Sequence, residues 1–128
     1  EIYMACYGPV GDNGYPKELW NKLTGEIDPE VAAYWKEHFD LRHYLEENWS
    51  WLGPKLKGKL HIYVGDMDSY YLNIAVSYLE KFLESTKDPY YEGVVEYGNG
   101  EPHCWGPGTP NLIKLIAAHV EKMKATSF

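Results

Sequence analysis

The chain has 128 residues, a formal net charge of −7, and 45% hydrophobic and 24% charged residues, a composition typical of one globular domain. The acidic charge argues against a nucleic-acid partner, because phosphates require a basic patch. No run of about 18 apolar residues is present, so no membrane-spanning helix and no membrane partner are predicted. The two cysteines, Cys6 and Cys104, are too few for a disulfide framework and lack zinc-ligand spacing, so isolated thiols are expected.

The chain opens directly on an apolar segment, residues 2–7, which Gly8-Pro9 ends. This pattern predicts a buried strand followed by a turn. Because a buried strand needs a neighbour, and because the first residue is Glu1 and not Met, we expect the chain to be part of a longer protein. The strand would then have an unpaired edge, and self-association through residues 2–7 is expected.

Residues 16–52 are predicted to be helical in short pieces. A turn of helix is expected from Pro16 to Leu23. Asp28-Pro29 predicts an N-cap and the first position of a helix that runs through Phe39. Asp40 is a candidate cap for another helix, which Gly53-Pro54 is expected to end.

The second half of the chain alternates between strand and helix patterns. Its predicted elements are a buried strand (59–64), a helix (about 70–85), a short strand (94–97), a loop (98–108) and a final helix whose apolar residues would face the core. Alternation of this kind favours a parallel sheet with right-handed crossovers. We therefore predict a single α/β domain over residues 1–128, with about three parallel strands and crossover helices.

Two carboxylates follow the first strand of this half, at Asp66 and Asp68. In parallel sheets functional residues collect at the carboxyl ends of the strands. An Asp in this position can orient a histidine by accepting its Nδ1 hydrogen. Two alternatives remain open: Asp68 or Ser69 as the N-cap of the next helix, and a divalent-cation site, although no further ligand cluster follows.

His103 lies in the loop between the last strand and the last helix, in Glu101-Pro102-His103-Cys104-Trp105. A histidine placed there can present Nε2 as a general base, although a loop histidine can also merely form a hydrogen bond. The order of a strand-end Asp, a helix, a strand and a loop His is that of the α/β-hydrolases without their nucleophile. The remaining histidines, His38, His43, His61 and His119, are expected to be structural.

Three segments carry a resemblance to a known family: Gly65-Asp66-Met67-Asp68, Tyr70-Tyr71-Leu72-Asn73 and Pro102-His103-Cys104-Trp105. They resemble the C-terminal third of esterases of the α/β-hydrolase family, of the esterase D-like and feruloyl-esterase-like kind. The resemblance implies that residues 1–10 match the strand after the nucleophile elbow, and that residues 16–52 occupy the place of a lid-like insertion.

The same resemblance implies the site residues and the chemistry. The family's Gly-x-x-Asp maps onto Gly65 and Asp68 as the triad acid, with Asp66 less favoured, and its histidine maps onto His103. It implies hydrolysis of a carboxylic ester through an acyl-enzyme, without a cofactor. The substrate of the parent enzyme would be an ester, with a carbohydrate-linked acyl ester as one candidate.

The chain departs from this family because it contains no Gly-x-Ser-x-Gly nucleophile motif. Cys6 is the other candidate nucleophile, but its neighbours favour a buried strand residue, and Cys104 is expected to be packed. The oxyanion hole would also lie outside the chain. We therefore expect residues 1–128 to supply the acid and histidine of a triad and to be inactive alone.

The high aromatic content, with 12 tyrosines and five tryptophans, supports an alternative from another class. Exposed aromatic side chains can stack on sugars or form interfaces. A non-catalytic module that binds carbohydrate or a protein partner would explain these aromatic residues and the acidic charge. It would not explain the succession of Asp68, a helix, a strand and His103.

Overall fold

The structure is a computed structural model that describes residues 2–125. Its elements in chain order are α1 (Ile2–Tyr7), α2 (Pro29–Phe39), α3 (Leu41–Leu56), β1 (His61–Gly65), α4 (Leu72–Ser85), β2 (Val94–Gly98) and α5 (Thr109–Ala125). They fall into two compact units that divide after Leu52, within α3. None of the helices in the described part is both long enough and apolar enough to cross a bilayer.

The predicted first strand is wrong, because residues 2–7 form helix α1. Tyr3 and Tyr7, four residues apart, stack with ring centroids at 6.3 Å, as helical spacing allows. Only Met4 of α1 is buried, and the Gly8 amide donates to the Met4 carbonyl at 2.8 Å, which closes the last turn of the helix. Residues 2–7 therefore present no strand edge, and self-association of the chain stays a prediction.

The predicted helical turn at residues 16–23 is also wrong. The Asn21 side chain accepts hydrogen bonds from the amides of Leu23 (2.9 Å) and Thr24 (3.2 Å), which forms a local turn instead of a helix. The Asn21 amide in turn donates to the Glu26 carbonyl at 2.8 Å. A short polar side chain thus offers the backbone an alternative to helical hydrogen bonding.

The two predicted caps after this segment are confirmed. Asp28 accepts from the amides of Glu30 and Val31 at 2.9 and 3.2 Å, and α2 begins at Pro29. Asp40 accepts from the His43 amide at 3.1 Å, at the start of α3. Gly53-Pro54 does not end α3, which runs to Leu56 with Pro54 inside it. The Lys57 amide still donates to the Gly53 carbonyl at 2.9 Å, so the hydrogen-bonded turn closes past the proline.

The C-terminal unit contains a parallel pair of strands, which makes it α/β in character. β1 and β2 pair in register from His61 and Val94 to Gly65 and Gly98, with α4 between them in the chain. α4 packs against β1, and its Leu83 is fully buried. The parallel pairing is as predicted, but the described residues form two strands where about three were expected.

α4 and the sheet are also joined by a polar contact. The Tyr97 hydroxyl on β2 donates to a carboxylate oxygen of Glu80 on α4 at 2.9 Å. Burial, followed by this hydrogen bond, raises the pKa of Tyr97 to about 12. The contact holds the crossover helix against the strand that leads to the loop carrying His103.

The expectation that the apolar residues of α5 face inward is wrong for most of them. Leu112, Ile113, Ile116 and Val120 retain 43–60% of their accessible surface. Together with β1, α5 borders an open apolar groove lined by Tyr63, Leu112, Ile116 and their neighbours. Helical periodicity identifies an apolar face, but a two-stranded sheet has too little surface to cover it.

Candidate functional site

The candidate site lies at the carboxyl edge of the sheet, where two segments meet: the β1 turn (residues 66–71) and the β2 loop (residues 99–108). Parallel pairing places the ends of β1 and β2 side by side, with Gly65 opposite Gly98. Two backbone hydrogen bonds then join the segments, from Asp66 N to Gly98 O (3.0 Å) and from Met67 N to Glu101 O (3.1 Å). The topology thus brings two segments that are more than 30 residues apart into contact.

Asp68 and His103 form a hydrogen-bonded pair at this edge. Nδ1 of His103 donates to Oδ2 of Asp68 at 2.8 Å. The Asp68 side chain retains 2% of its accessible surface and the His103 side chain 36%, so the acid is buried and the imidazole is half exposed. The structure therefore brings together the two residues that the sequence predicts as triad members; their catalytic role stays a prediction.

Asp68 serves the local backbone as well as His103, through its other carboxylate oxygen. Oδ1 accepts from the amides of Tyr70 (2.8 Å) and Leu72 (3.5 Å), at the start of α4. The prediction of Asp68 or Ser69 as the N-cap is wrong, because the N-cap of α4 is Tyr71. One Asp68 oxygen instead closes the turn that precedes α4, and the other accepts from His103. α4 itself begins at Leu72, later than predicted, after Tyr71 in a left-handed conformation.

The hydrogen bonds around Asp68 determine its charge. Burial is the largest influence on its pKa and opposes ionisation, but hydrogen bonds from His103, Tyr70 and Leu72 together outweigh it. The pKa of Asp68 therefore lies below its ordinary value of 3.8. Because an ionised carboxylate can only accept, the hydrogen between the two side chains lies on Nδ1 of His103, and Nε2 is the ring nitrogen left for proton exchange with a reactant.

Two glycines make the close approach of the β2 loop possible. A Cβ on Gly65 would overlap the carbonyl oxygens of Glu101 and Pro102, and its distance to the Glu101 carbonyl carbon would be 2.7 Å. A Cβ on Gly98 would overlap the indole ring of Trp105. The residues on both sides of His103 therefore pack against the two strands at positions that have no side chain, Gly65 and Gly98.

Two non-glycine residues next to the site have left-handed backbone conformations. Tyr71 has φ of 60°, and Cys104, which directly follows His103, has φ of 65°. Such conformations cost about 1–2 kcal/mol per residue and persist only where surrounding contacts enforce them. Asp88 (φ of 49°) and Glu92 (φ of 48°), in the segment before β2, have similar values, so left-handed backbone is not confined to this edge of the sheet.

Asp66 is near the pair but does not contact His103. Its Oδ1 accepts from the Gly100 amide at 2.7 Å, and its carbonyl accepts from Nδ2 of Asn73 at 3.0 Å. The sequence analysis assigned no role to Gly98, Gly100 or Asn73. The sequence feature that indicates the close approach of the β2 loop is the glycine at the end of each strand, Gly65 and Gly98. Within residues 2–125, no three His, Cys, Asp or Glu side chains cluster in a way that could hold a metal ion.

The His103 side chain retains about a third of its accessible surface. The Tyr70 ring approaches the imidazole edge-on, with centroids 4.7 Å apart. In the described part of residues 53–128, no serine, threonine or cysteine side chain forms a hydrogen bond with the His103 ring. Cys6 and Cys104 are both exposed, so the predictions of a buried Cys6 and a packed Cys104 are wrong.

Comparison with known proteins identified no relative. No protein-family model matches the chain, and neither the curated proteins nor the solved structures contain a significant match. A function for the chain is therefore argued from the side-chain geometry at the carboxyl edge of the sheet.

Proposed function

We propose that the chain supplies the acid and the general base of an ester-hydrolysing catalytic triad, as part of an α/β-hydrolase whose nucleophile and oxyanion donors lie outside residues 1–128. One observation carries the proposal. The buried carboxylate of Asp68 accepts Nδ1–H of a half-exposed His103 at the carboxyl edge of a parallel strand pair. A carboxylate that is buried and ionised needs a compensating partner, and here the partner is an imidazole.

The arrangement supports the following proton transfers. Nε2 of His103 takes the proton of a nucleophile hydroxyl while that oxygen attacks the ester carbonyl, and the Asp68 carboxylate stabilises the resulting imidazolium. The imidazolium then gives this proton to the leaving alcohol, and an acyl-enzyme remains. In the deacylation step, Nε2 of His103 takes a proton from water while the water oxygen attacks the acyl carbonyl. The imidazolium then gives this proton to the nucleophile oxygen, and the carboxylic acid is released.

The chain alone is expected to lack measurable esterase activity. Without a nucleophile and oxyanion donors, the groups that lower the barrier most are missing. With p-nitrophenyl acetate, we expect the chain and its His103→Ala variant to give the same rate as buffer. Turnover by the chain that disappears in the His103→Ala variant would contradict this expectation.

The proposal itself is tested in a longer polypeptide that includes the coding sequence upstream of Glu1. We expect that sequence to contain Gly-x-Ser-x-Gly and the longer polypeptide to hydrolyse p-nitrophenyl esters. A fluorophosphonate probe should label its serine, and His103→Ala should abolish both labelling and turnover. An upstream sequence without a nucleophile motif, or turnover that survives His103→Ala, would overturn the proposal.

A second candidate, a carbohydrate-binding module, is favoured by exposed aromatic residues. Tyr3 and Tyr15 retain 71% and 72% of their accessible surface, and both lie outside the unit that contains Asp68 and His103. Stacking on sugars would use these rings and would not need Asp68 or His103. Calorimetry with soluble oligosaccharides distinguishes the two functions, because binding by such a module would be unchanged in an Asp68→Asn, His103→Ala double variant.

A further inference from the structure

We infer that Asp66 is a positioning residue for His103: its carboxylate holds the β2 loop where Nδ1 of His103 reaches Asp68. The inference rests on the proposed function for its catalytic meaning. Its geometry and its test concern the chain alone. It assigns Asp66, the carboxylate of the Gly65–Asp68 segment that does not contact His103, a role that is neither helix capping nor metal binding.

The first step is the contact itself. Oδ1 of Asp66 accepts from the Gly100 amide at 2.7 Å, across 34 positions of sequence. Gly100 has φ of 71°, a conformation that glycine adopts without a steric cost. The β2 loop therefore turns immediately after β2 in a way that directs its backbone amide at the β1 turn.

The second step is how few side chains anchor the β2 loop from outside. Among the described residues, two side chains beyond the loop form hydrogen bonds with it: Asp66 with Gly100 and Asp68 with His103. Glu101 and Pro102, the residues between these anchors, are exposed. Without the Asp66 contact, the polar contacts that remain are those of Asp68 with His103 and of the Met67 amide with the Glu101 carbonyl, beside the ring contacts of Tyr70 with His103 and of Tyr63 with Trp105.

The third step is the position of Asp66 itself. Its amide donates to the Gly98 carbonyl at 3.0 Å, and its carbonyl accepts from Nδ2 of Asn73 on α4 at 3.0 Å. The residue is thus fixed at its amide by β2 and at its carbonyl by α4. A carboxylate on such a fixed backbone is a rigid acceptor, and its negative charge strengthens the hydrogen bond from Gly100.

The experiment measures the tautomer of His103 by imidazole ¹⁵N shifts, detected through the carbon-bound ring protons, in the intact chain. In the wild type we expect the Nδ1–H tautomer to predominate. In Asp66→Ala, loss of one charge-assisted hydrogen bond should shift the equilibrium between anchored and released loop by about tenfold, and a mixture of tautomers should appear. Asp66→Asn keeps an acceptor oxygen and should restore most of the wild-type signal.

Glu101→Ala is the matched control, because it removes one negative charge from the β2 loop and leaves the Asp66 contact in place. It should keep the wild-type tautomer. An unchanged tautomer in Asp66→Ala, or a loss of equal size in Asp66→Asn, would overturn the inference. If Asp66→Ala does not fold by circular dichroism, hydrogen exchange in the wild type decides, since an unprotected Gly100 amide would also overturn it.

These outcomes are separable from the proposed esterase function. If the esterase proposal is wrong, the longer polypeptide will lack a nucleophile motif, and the tautomer of His103 can still depend on Asp66. If the positioning role is wrong, the tautomer of His103 will be the same in Asp66→Ala as in the wild type, and the longer polypeptide can still hydrolyse esters.

Discussion

The β1 turn and the β2 loop follow neighbouring parallel strands at the same edge of the sheet, yet they are stabilised in different ways. In the β1 turn, the Asp68 side chain is buried and accepts from two amides close to it in the chain, those of Tyr70 and Leu72. In the β2 loop, His103 is half exposed and is held by contacts with the other segment: the Asp66 and Asp68 carboxylates and the space above Gly65. The acid is thus positioned by local structure and the base by tertiary structure.

This difference suggests a division of tasks. A buried, locally hydrogen-bonded acid keeps its charge and orientation, which is what a partner that orients a histidine requires. A half-exposed imidazole on a loop can reach a group outside the chain. Variants at Asp66 and Asp68 in the β1 turn should therefore change the state of His103, although the histidine itself lies on the β2 loop.

The largest effect is expected from Asp68→Asn in a longer polypeptide that contains the nucleophile. An amide can donate to Nδ1 and would favour the wrong tautomer, so we expect kcat to fall about 10³- to 10⁴-fold. Steady-state kinetics with a p-nitrophenyl ester measures the change. Ser69→Ala, an exposed neighbour, is the control; a loss below about tenfold for Asp68→Asn would mean that the acid does not orient the base.

Gly65→Ala tests whether the β2 loop depends on the strand beneath it. The new methyl group would overlap the carbonyl oxygens of Glu101 and Pro102, which are backbone atoms and cannot rotate away. We expect a loss of about 1–3 kcal/mol in the free energy of unfolding, measured by urea denaturation. Gly106→Ala is the control, because a Cβ there has no atom within 4 Å. Equal stability of the two variants would contradict the packing argument.

The pH dependence of stability tests the charge of the β1 turn. The folded-state pKa of Asp68 is lowered, so its contribution to stability is present above the ordinary value of 3.8 and is lost as the pH falls through the lower folded-state value. Acid unfolding followed by circular dichroism should show that the free energy of unfolding falls less steeply with decreasing pH in Asp68→Asn than in the wild type over this range. Glu84, whose pKa is lowered by hydrogen bonds from Tyr90 and Tyr91, should keep part of the slope in both proteins. Parallel curves would contradict the prediction.

The smallest effect is expected from Tyr70→Ala. The ring contacts the imidazole edge-on but is 70% exposed, so its loss should cost less than about 1 kcal/mol in the free energy of unfolding. The His103 tautomer should remain as in the wild type, since Asp66 and Asp68 are unchanged. Thermal denaturation and ¹⁵N shifts measure the two quantities. A changed tautomer would show that the β1 turn positions the base through its aromatic ring as well.

Much of the secondary structure can be predicted from sequence because its signals are local. Strand patterns, the caps at Asp28 and Asp40, and the apolar spacing of α4 all depend on residues within one segment. Predictions failed where a local pattern had a competing solution: residues 2–7 formed a helix and not a strand, and Asn21 formed a turn. The exposure of α5 depends on how much sheet is available to cover it, which periodicity does not report.

By itself, the sequence determined that a carboxylate follows β1 and a histidine follows β2, because strand ends and loops are marked by glycine, proline and polar residues. Tertiary structure alone decided which carboxylate meets the imidazole. Asp66 and Asp68 are two residues apart and chemically identical, and both lie where a helix cap or a triad acid is plausible. The parallel register and the passage of the β2 loop over Gly65 bring the Gly100 amide to Asp66 and the His103 imidazole to Asp68.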